Sequence, residues 1–369
     1  MNVNINELKK GCILTEDVWK RSNTPLMRKK TVLTDEHIRI LNIYLVENVC
    51  VEAKLVNGKI FKPNKVIKDE KEEKPEKKET VYEDSFLDRY LKAVQHYKKL
   101  FTNWQGGTKV DAYAVRKVFL PLFEIEPSKD ELMQLHHYTT KQDYIYYHSV
   151  AVSVYSYLLG KRMGLKNGEV IQLGLAGLLS DCGMSKLPFN VFEKKGSLTE
   201  EQYEEVKKHP IFGYRMLEEV PGFSKNALLG IIQHHEREDG SGYPLNVEAD
   251  QLHHFAKIIS VADVYHAMTS ERHYRSKQSP YKVIASLKVD EFGRLDHRIL
   301  NLFIDLMLDL SIGRKVRLNN GLVGEVLYKN AQHPTRPIVQ IHGNDHLDLA
   351  KNPDIIIEEE FPMDYEEVE

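Results

Sequence analysis

Sixteen histidines stand against three cysteines in this chain of 369 residues. Any metal it binds is therefore expected to sit on imidazole and carboxylate. Three His-His pairs occur, at His136-His137, His234-His235 and His253-His254. A pair alone says little, because a His-rich chain makes such pairs by chance, but context separates them. His234-His235 closes the apolar run NALLGIIQ and is followed directly by EREDGSGYP. Gly240 and Gly242 in that loop permit a left-handed turn and a close backbone approach. The other two pairs have no such loop and read as surface or helix-packing residues. Asp263 lies in AKIISVADVYHAM, beside Ala262 and four residues after Ile259. A carboxylate at the border of a buried stripe is costly unless it is paired or metal-bound. Asp181 repeats the pattern in LGLAGLLSDCG, and His148 shares a helical face with Ile145 and Val152. Each alone reads as a satisfied polar core residue. Together His148, Asp181, His209, His234, His235 and Asp263 form a donor set suited to Fe, Mn or Zn. A carboxylate can bridge two ions, which is the arrangement of two-metal phosphoester chemistry.

The elements that must position these groups are helical. From residue 80 to about 310 apolar residues recur at intervals of three and four. Ile145, His148, Val152, Tyr155 and Leu159 share one face; Leu173, Ala176, Gly177, Ser180 and Asp181 a second; Phe255, Ile258, Ile259, Ala262 and Tyr265 a third. Ser197 with Glu200 reads as a capping box opening LTEEQYEEVKKH. The expected fold class is mainly α, a helical bundle carrying a small α+β module (1–61) in front and a β-rich extension with an acidic tail (312–369) behind. The helical domain is expected over 81–311. In the front module TVLTDEHIRILNIYLVEN reads as a helix between short β-like runs. The 62–80 segment contains KDEKEEKPEKKE, eleven charges and one proline, and cannot bury a core. In the extension, KVRLNNGLVGEVLY reads as a hairpin about Asn320-Gly321, with PIVQIHG and DIIIEEE as further strands.

A net charge of −3 excludes a strongly basic binder of nucleic acid polymers. No stretch approaches the roughly 18 apolar residues of a membrane span, and MNVNINELKK lacks the apolar core of a signal peptide. Three cysteines without a CxxC spacing fit a reducing compartment, so a cytoplasmic location is expected.

The segments HSVAVSV (148–154), LLSDCG (178–183), KKHPIFG (207–213), HHEREDGSGYP (234–244) and ADVYHAMTSERHYR (262–275) occur in this order. In them the chain resembles the HD-GYP domain, a subgroup of the HD metal-dependent phosphohydrolases. The resemblance implies hydrolysis of the bacterial second messenger cyclic di-GMP to pGpG and then GMP, with two divalent ions, iron or manganese. It assigns metal binding to His148, Asp181, His209, His234, His235 and Asp263, with Asp181 as the bridging, catalytic carboxylate. Arg272 and Arg275 fall where the family holds substrate phosphates, and Gly242, Tyr243 and Pro244 match the triplet that shapes the substrate loop. Cyclic di-GMP is the implied partner; signalling proteins and a second copy of the chain are further partners open to it.

Departures from the pattern are equally specific. Ser180 stands in place of the His of the HD pair, Met184 in place of a lysine, Tyr144 where trinuclear members carry Glu, and His266 and His273 in place of a common Asp and Pro. One ion would keep Asp181, His209, His234 and His235. The other would keep only His148, Asp181 and Asp263, a weakened site, unless water or His266 supplied the fourth ligand. Three readings follow: a phosphodiesterase with impaired catalysis, an inactive domain that senses cyclic di-GMP or metal, and an interaction scaffold.

Overall fold

In the computed structural model the described residues are 1–18, 26–27, 29–34, 37–38, 41, 46, 48–56, 59–63, 85–139, 142–188, 191, 196, 198–270, 278–308, 310–330, 333–341 and 345–361. They group into two compact units, Met1–Asp88 and Arg89–Glu369.

In the first unit, strands β1 (Asn2–Asn4) and β2 (Asn48–Cys50) pair antiparallel with Val3 opposite Val49. Bridges join Ile13 to Val32 and Leu14 to Val51. Val3, Leu14, Leu33, Leu41 and Val51 are fully buried and form its core. His37, Ile38 and Leu41 are helical, and the Thr34 hydroxyl accepts from the His37 amide at 3.2 Å. The remainder of the expected helix lies largely outside the described residues, as does nearly all of the charged 62–80 segment.

The second unit is built on helices α1 (Phe86–Gln105, starting at the boundary), α2 (Ala112–Phe119), α3 (Lys129–Gln134), α4 (Tyr144–Arg162), α5 (Asn167–Leu179), α6 (Glu200–Val206), α7 (His209–Leu217), α8 (Lys225–Gln233), α9 (His254–Thr269), α10 (Pro280–Asp290) and α11 (His297–Met307). All three predicted helical faces are buried. Helix α4 packs on α5 and α9, and α8 packs on α5, α7 and α9. Side chains cap the helix starts: Asp111, Ser128, Ser224 and Asp296 each accept from a first-turn amide. One expected cap is corrected. Helix α6 is capped by Thr199 in a box with Gln202, while Ser197 lies outside the described residues. Thr199 directly precedes Glu200, so its hydroxyl reaches the third helical amide, the requirement of the motif.

A five-stranded antiparallel sheet ends the chain, in the order β6 (His346–Asp348), β5 (Ile338–Gln340), β4 (Val323–Tyr328), β3 (Lys315–Leu318), β7 (Ile357–Glu360). The predicted hairpin is β3–β4, with Gly321 at φ +85° in its turn. Strand β6 had no expectation attached to it. Buried Arg314 ties the sheet to the helices through Asp130 at 2.6 Å and Glu360 at 3.0 Å.

Candidate metal centre

Five segments bring six side chains to one point. His148 comes from α4, Asp181 from the turn beyond α5, His209 from the start of α7, His234 and His235 from the end of α8, and Asp263 from α9. The approach of Asp181 to His209 depends on Gly183. A Cβ there would overlap the His209 carbonyl oxygen and crowd the Gly213 amide, so only glycine lets the turn after Asp181 lie against α7.

Two overlapping donor sets result: Asp181, His209, His234 and His235, and His148, Asp181 and Asp263. Within each, the ligand atoms lie within 4.8 Å of one another. Asp181 divides its oxygens between them. Its Oδ1 is 3.2 Å from His209 Nε2 and 4.0 Å from His234 Nε2, and its Oδ2 is 3.4 Å from His148 Nε2. Asp263 Oδ1 is 2.9 Å from His148 Nε2, and its Oδ2 is 3.7 Å from His235 Nδ1.

The chemistry of the first set fits a cation. His209 and His234 each donate Nδ1–H to the carbonyl three residues earlier, Val206 and Ile231, at 2.7 Å. A carbonyl can only accept, so the proton sits on Nδ1 and a neutral ring presents a bare lone pair on Nε2. The two Nε2 atoms face each other at 3.3 Å. Burial, helped by His209, lowers the His234 pKa to about 4 and keeps that ring neutral at pH 7. His235 is lowered well below the ordinary range by burial and then by His234 and His209. Burial alone would raise Asp181 and Asp263. For Asp181 the facing imidazoles of His209, His148 and His234 outweigh it, and for Asp263 His148 does the same, so both carboxyls sit below the usual range. Carboxylates and imidazole lone pairs converging without hydrogens between them are stabilised by a divalent ion.

The second set lacks an imidazole where Ser180 stands. The Ser180 hydroxyl is buried and donates to the Gly177 carbonyl at 3.0 Å, turned back along its own helix. His266 does not fill the gap. It is fully buried, and its Nδ1 lies 3.0 Å from the Nδ1 of His148, at the opposite ring nitrogen from the carboxylates. Tyr144 reaches the same nitrogen with its hydroxyl at 3.1 Å. Met184 lies half-buried in the turn after Asp181, and the nearby Lys186 ammonium donates to the Trp104 carbonyl.

The loop after His235 is held by a residue that motif reading passed over. Glu236 is buried, and its carboxylate accepts from the amides of Leu245, Asn246 and Val247. Its signal was an acid placed directly after the two candidate ligands His234 and His235. A Cβ on Gly242 would meet the Glu236 backbone, so the glycine serves loop packing. The Tyr243 ring stacks on His235 at 4.7 Å, and the Tyr243–Pro244 peptide is cis. Arg272, His273 and Arg275 lie outside the described residues. The other two His pairs enter neither cluster: His136 contacts the Met133 carbonyl, and His253 caps α9. Among the described residues no helix is long and apolar enough to cross a membrane.

Comparison with known proteins finds relatives of this chain. Residues 130–299 match the HD domain family. A cyclic di-GMP phosphodiesterase of Pseudomonas aeruginosa is 32% identical over 210 residues, 57% of this chain and 50% of its own length. A 3'3'-cGAMP-specific phosphodiesterase of Vibrio cholerae is 30% identical over 156 residues, 42% of this chain and 34% of its own. The chain thus spans half or less of these relatives. The solved structure of an HDGYP protein from Bdellovibrio bacteriovorus aligns with 83% of this chain and 99% of its own, at 14% identity and a TM-score of 0.46. Residues 130–299 thus match an HD domain, and over about half its length the chain is similar to cyclic di-GMP phosphodiesterases.

Proposed function

We infer that the chain is a divalent-metal-dependent phosphodiester hydrolase domain acting on a cyclic dinucleotide of the cyclic di-GMP type, with one ion held tightly and a second held weakly. The division of the Asp181 oxygens between a four-ligand and a three-ligand set carries this reading. Asp181, His209, His234 and His235 would hold the first ion, and His148, Asp181 and Asp263 the second. Such a donor set suits iron or manganese. Divalent ions there would supply Lewis-acid polarisation of a phosphate oxygen. The protein's own part is to aim lone pairs: the Val206 and Ile231 carbonyls fix two tautomers, and the buried Asp181 and Asp263 remain ionised. Arg272 and Arg275 are proposed to clamp the substrate phosphates in bidentate fashion. Tyr243, stacked on His235 between Gly242 and Pro244, is proposed to border the substrate.

The test is an anaerobic titration of the purified chain with Mn²⁺ or Fe²⁺, with hydrolysis of cyclic di-GMP and of 3'3'-cGAMP followed by chromatography. Turnover is expected only after the first ion has bound, rising with occupancy of the second. Absence of turnover with two ions bound refutes the hydrolase. It leaves a second reading, a domain that binds the nucleotide without hydrolysing it, which is favoured by the Ser180 hydroxyl turned back to Gly177.

A further inference from the structure

His148 is the one imidazole in the three-ligand set, and that places a demand on it. A histidine that gives one ring nitrogen to a cation keeps its proton on the other, and that N–H needs an acceptor behind the ring. His209 and His234 meet the need with backbone carbonyls. Among the described residues the partners of His148 Nδ1 are side chains instead: His266 Nδ1 at 3.0 Å and the Tyr144 hydroxyl at 3.1 Å. The tyrosine brings a hydrogen of its own to place, whereas an imidazole nitrogen can present a bare lone pair. His266 stands on α9 three residues after Asp263, so the helix that supplies a carboxylate also supplies this contact. The Ser270 hydroxyl lies 3.2 and 3.4 Å from the two nitrogens of His266, and both residues are fully buried.

We propose that His266 is a positioning residue: its Nδ1 accepts the Nδ1–H of His148, which sets the His148 tautomer and directs the Nε2 lone pair at Asp181 and Asp263. Without an acceptor behind it, His148 is driven to the opposite tautomer, because Asp263 Oδ1 at 2.9 Å then claims an Nε2–H. That tautomer keeps its lone pair on Nδ1 and has none on Nε2 to offer. In a set already short of one imidazole, this removes its last nitrogen donor.

The inference rests on reading the three-ligand set as a cation position, and the experiment separates the two. The full chain, stripped with chelator, is titrated with Mn²⁺ by calorimetry. His266→Phe keeps a ring and removes both nitrogens. His266→Asn places an amide oxygen the same number of bonds from Cα as the histidine Nδ1, without adding charge. The first ion should bind equally in all forms. The second should weaken about 10–100-fold in His266→Phe and stay close to wild type in His266→Asn and in Tyr144→Phe. A measurement on the unmutated Zn²⁺-loaded protein stands beside this: nitrogen NMR should place the His148 proton on Nδ1 and show scalar coupling across the hydrogen bond to His266 Nδ1. It decides the matter even if His266→Phe does not fold. An unchanged second ion in a folded His266→Phe, an Asn variant that falls as far as Phe, or a missing coupling overturns the proposal. A wild-type chain that binds no second ion overturns both readings.

Discussion

Ser180→His returns an imidazole to the position beside Asp181 and is expected to tighten the second ion while destabilising the metal-free protein. Ser180 is buried at the end of α5, and its hydroxyl donates to the Gly177 carbonyl at 3.0 Å. Losing that bond costs about 1 kcal/mol, and inserting a ring into a packed site costs about 1–3 kcal/mol. The variant in chelator should therefore unfold with about 2–4 kcal/mol less stability. Metal acts in the opposite direction. Residues that merely support a ligand change affinity about 10–100-fold, so an added ligand should lower the second Kd by about 100-fold, equivalent to roughly 2.7 kcal/mol. That gain appears as extra stabilisation once metal exceeds both dissociation constants. The assay is thermal unfolding in chelator and across a Mn²⁺ series, with ion stoichiometry from calorimetry. The expected signature is a lower Tm without metal together with a larger metal-induced rise. Adding Met184→Lys should raise kcat and leave ion affinity alone, since an ammonium at that place would act on transition-state charge, an effect of about 2–4 kcal/mol. A folded Ser180→His whose second ion binds as in wild type refutes the reasoning, because position 180 would then not face the ion.

Gly183→Ala drives a methyl group into the His209 carbonyl, so α7 must withdraw from Asp181. A loss of more than about 2 kcal/mol in urea unfolding is expected, together with weaker binding of the first ion; native-like values for both would remove Gly183 from its role. The metal-free protein should lose stability on acidification. His234 is lowered to about 4 in the fold but titrates near 6.5 when unfolded, so between those values the unfolded chain binds the extra proton and stability falls as pH falls. Its share is about 2 kcal/mol between pH 7 and pH 5, read from urea midpoints in chelator and abolished in His234→Gln. Asp181 and Asp263, both depressed, act lower: their contribution is present above the ordinary carboxylate range and disappears below it. Arg272→Ala should abolish cyclic di-GMP binding in equilibrium dialysis while leaving both ions in place; unchanged nucleotide affinity would take Arg272 out of the site.

Local order made much of this protein legible in one dimension. The buried faces of α4, α5 and α9 follow from a period of 3.6, the β3–β4 hairpin from Asn320-Gly321, and the choice of His148, Asp181, His209, His234, His235 and Asp263 from residue type and neighbourhood. What spacing along a chain does not carry is distance between segments. The six groups come from five segments, and their convergence depends on contacts such as Gly183 against His209. The same holds for the direction of a side chain. Ser180 is adjacent to Asp181 in sequence, yet its hydroxyl returns to Gly177. His266 looked like a spare ligand, and packing sets it behind His148 instead. The role of Glu236 exists only in the fold, where the amides of Leu245, Asn246 and Val247 donate to its carboxylate. The sequence by itself determined which atoms could hold a cation; tertiary packing decided which lone pairs point inward, because orientation is set by the hydrogen bond on the far side of each ring.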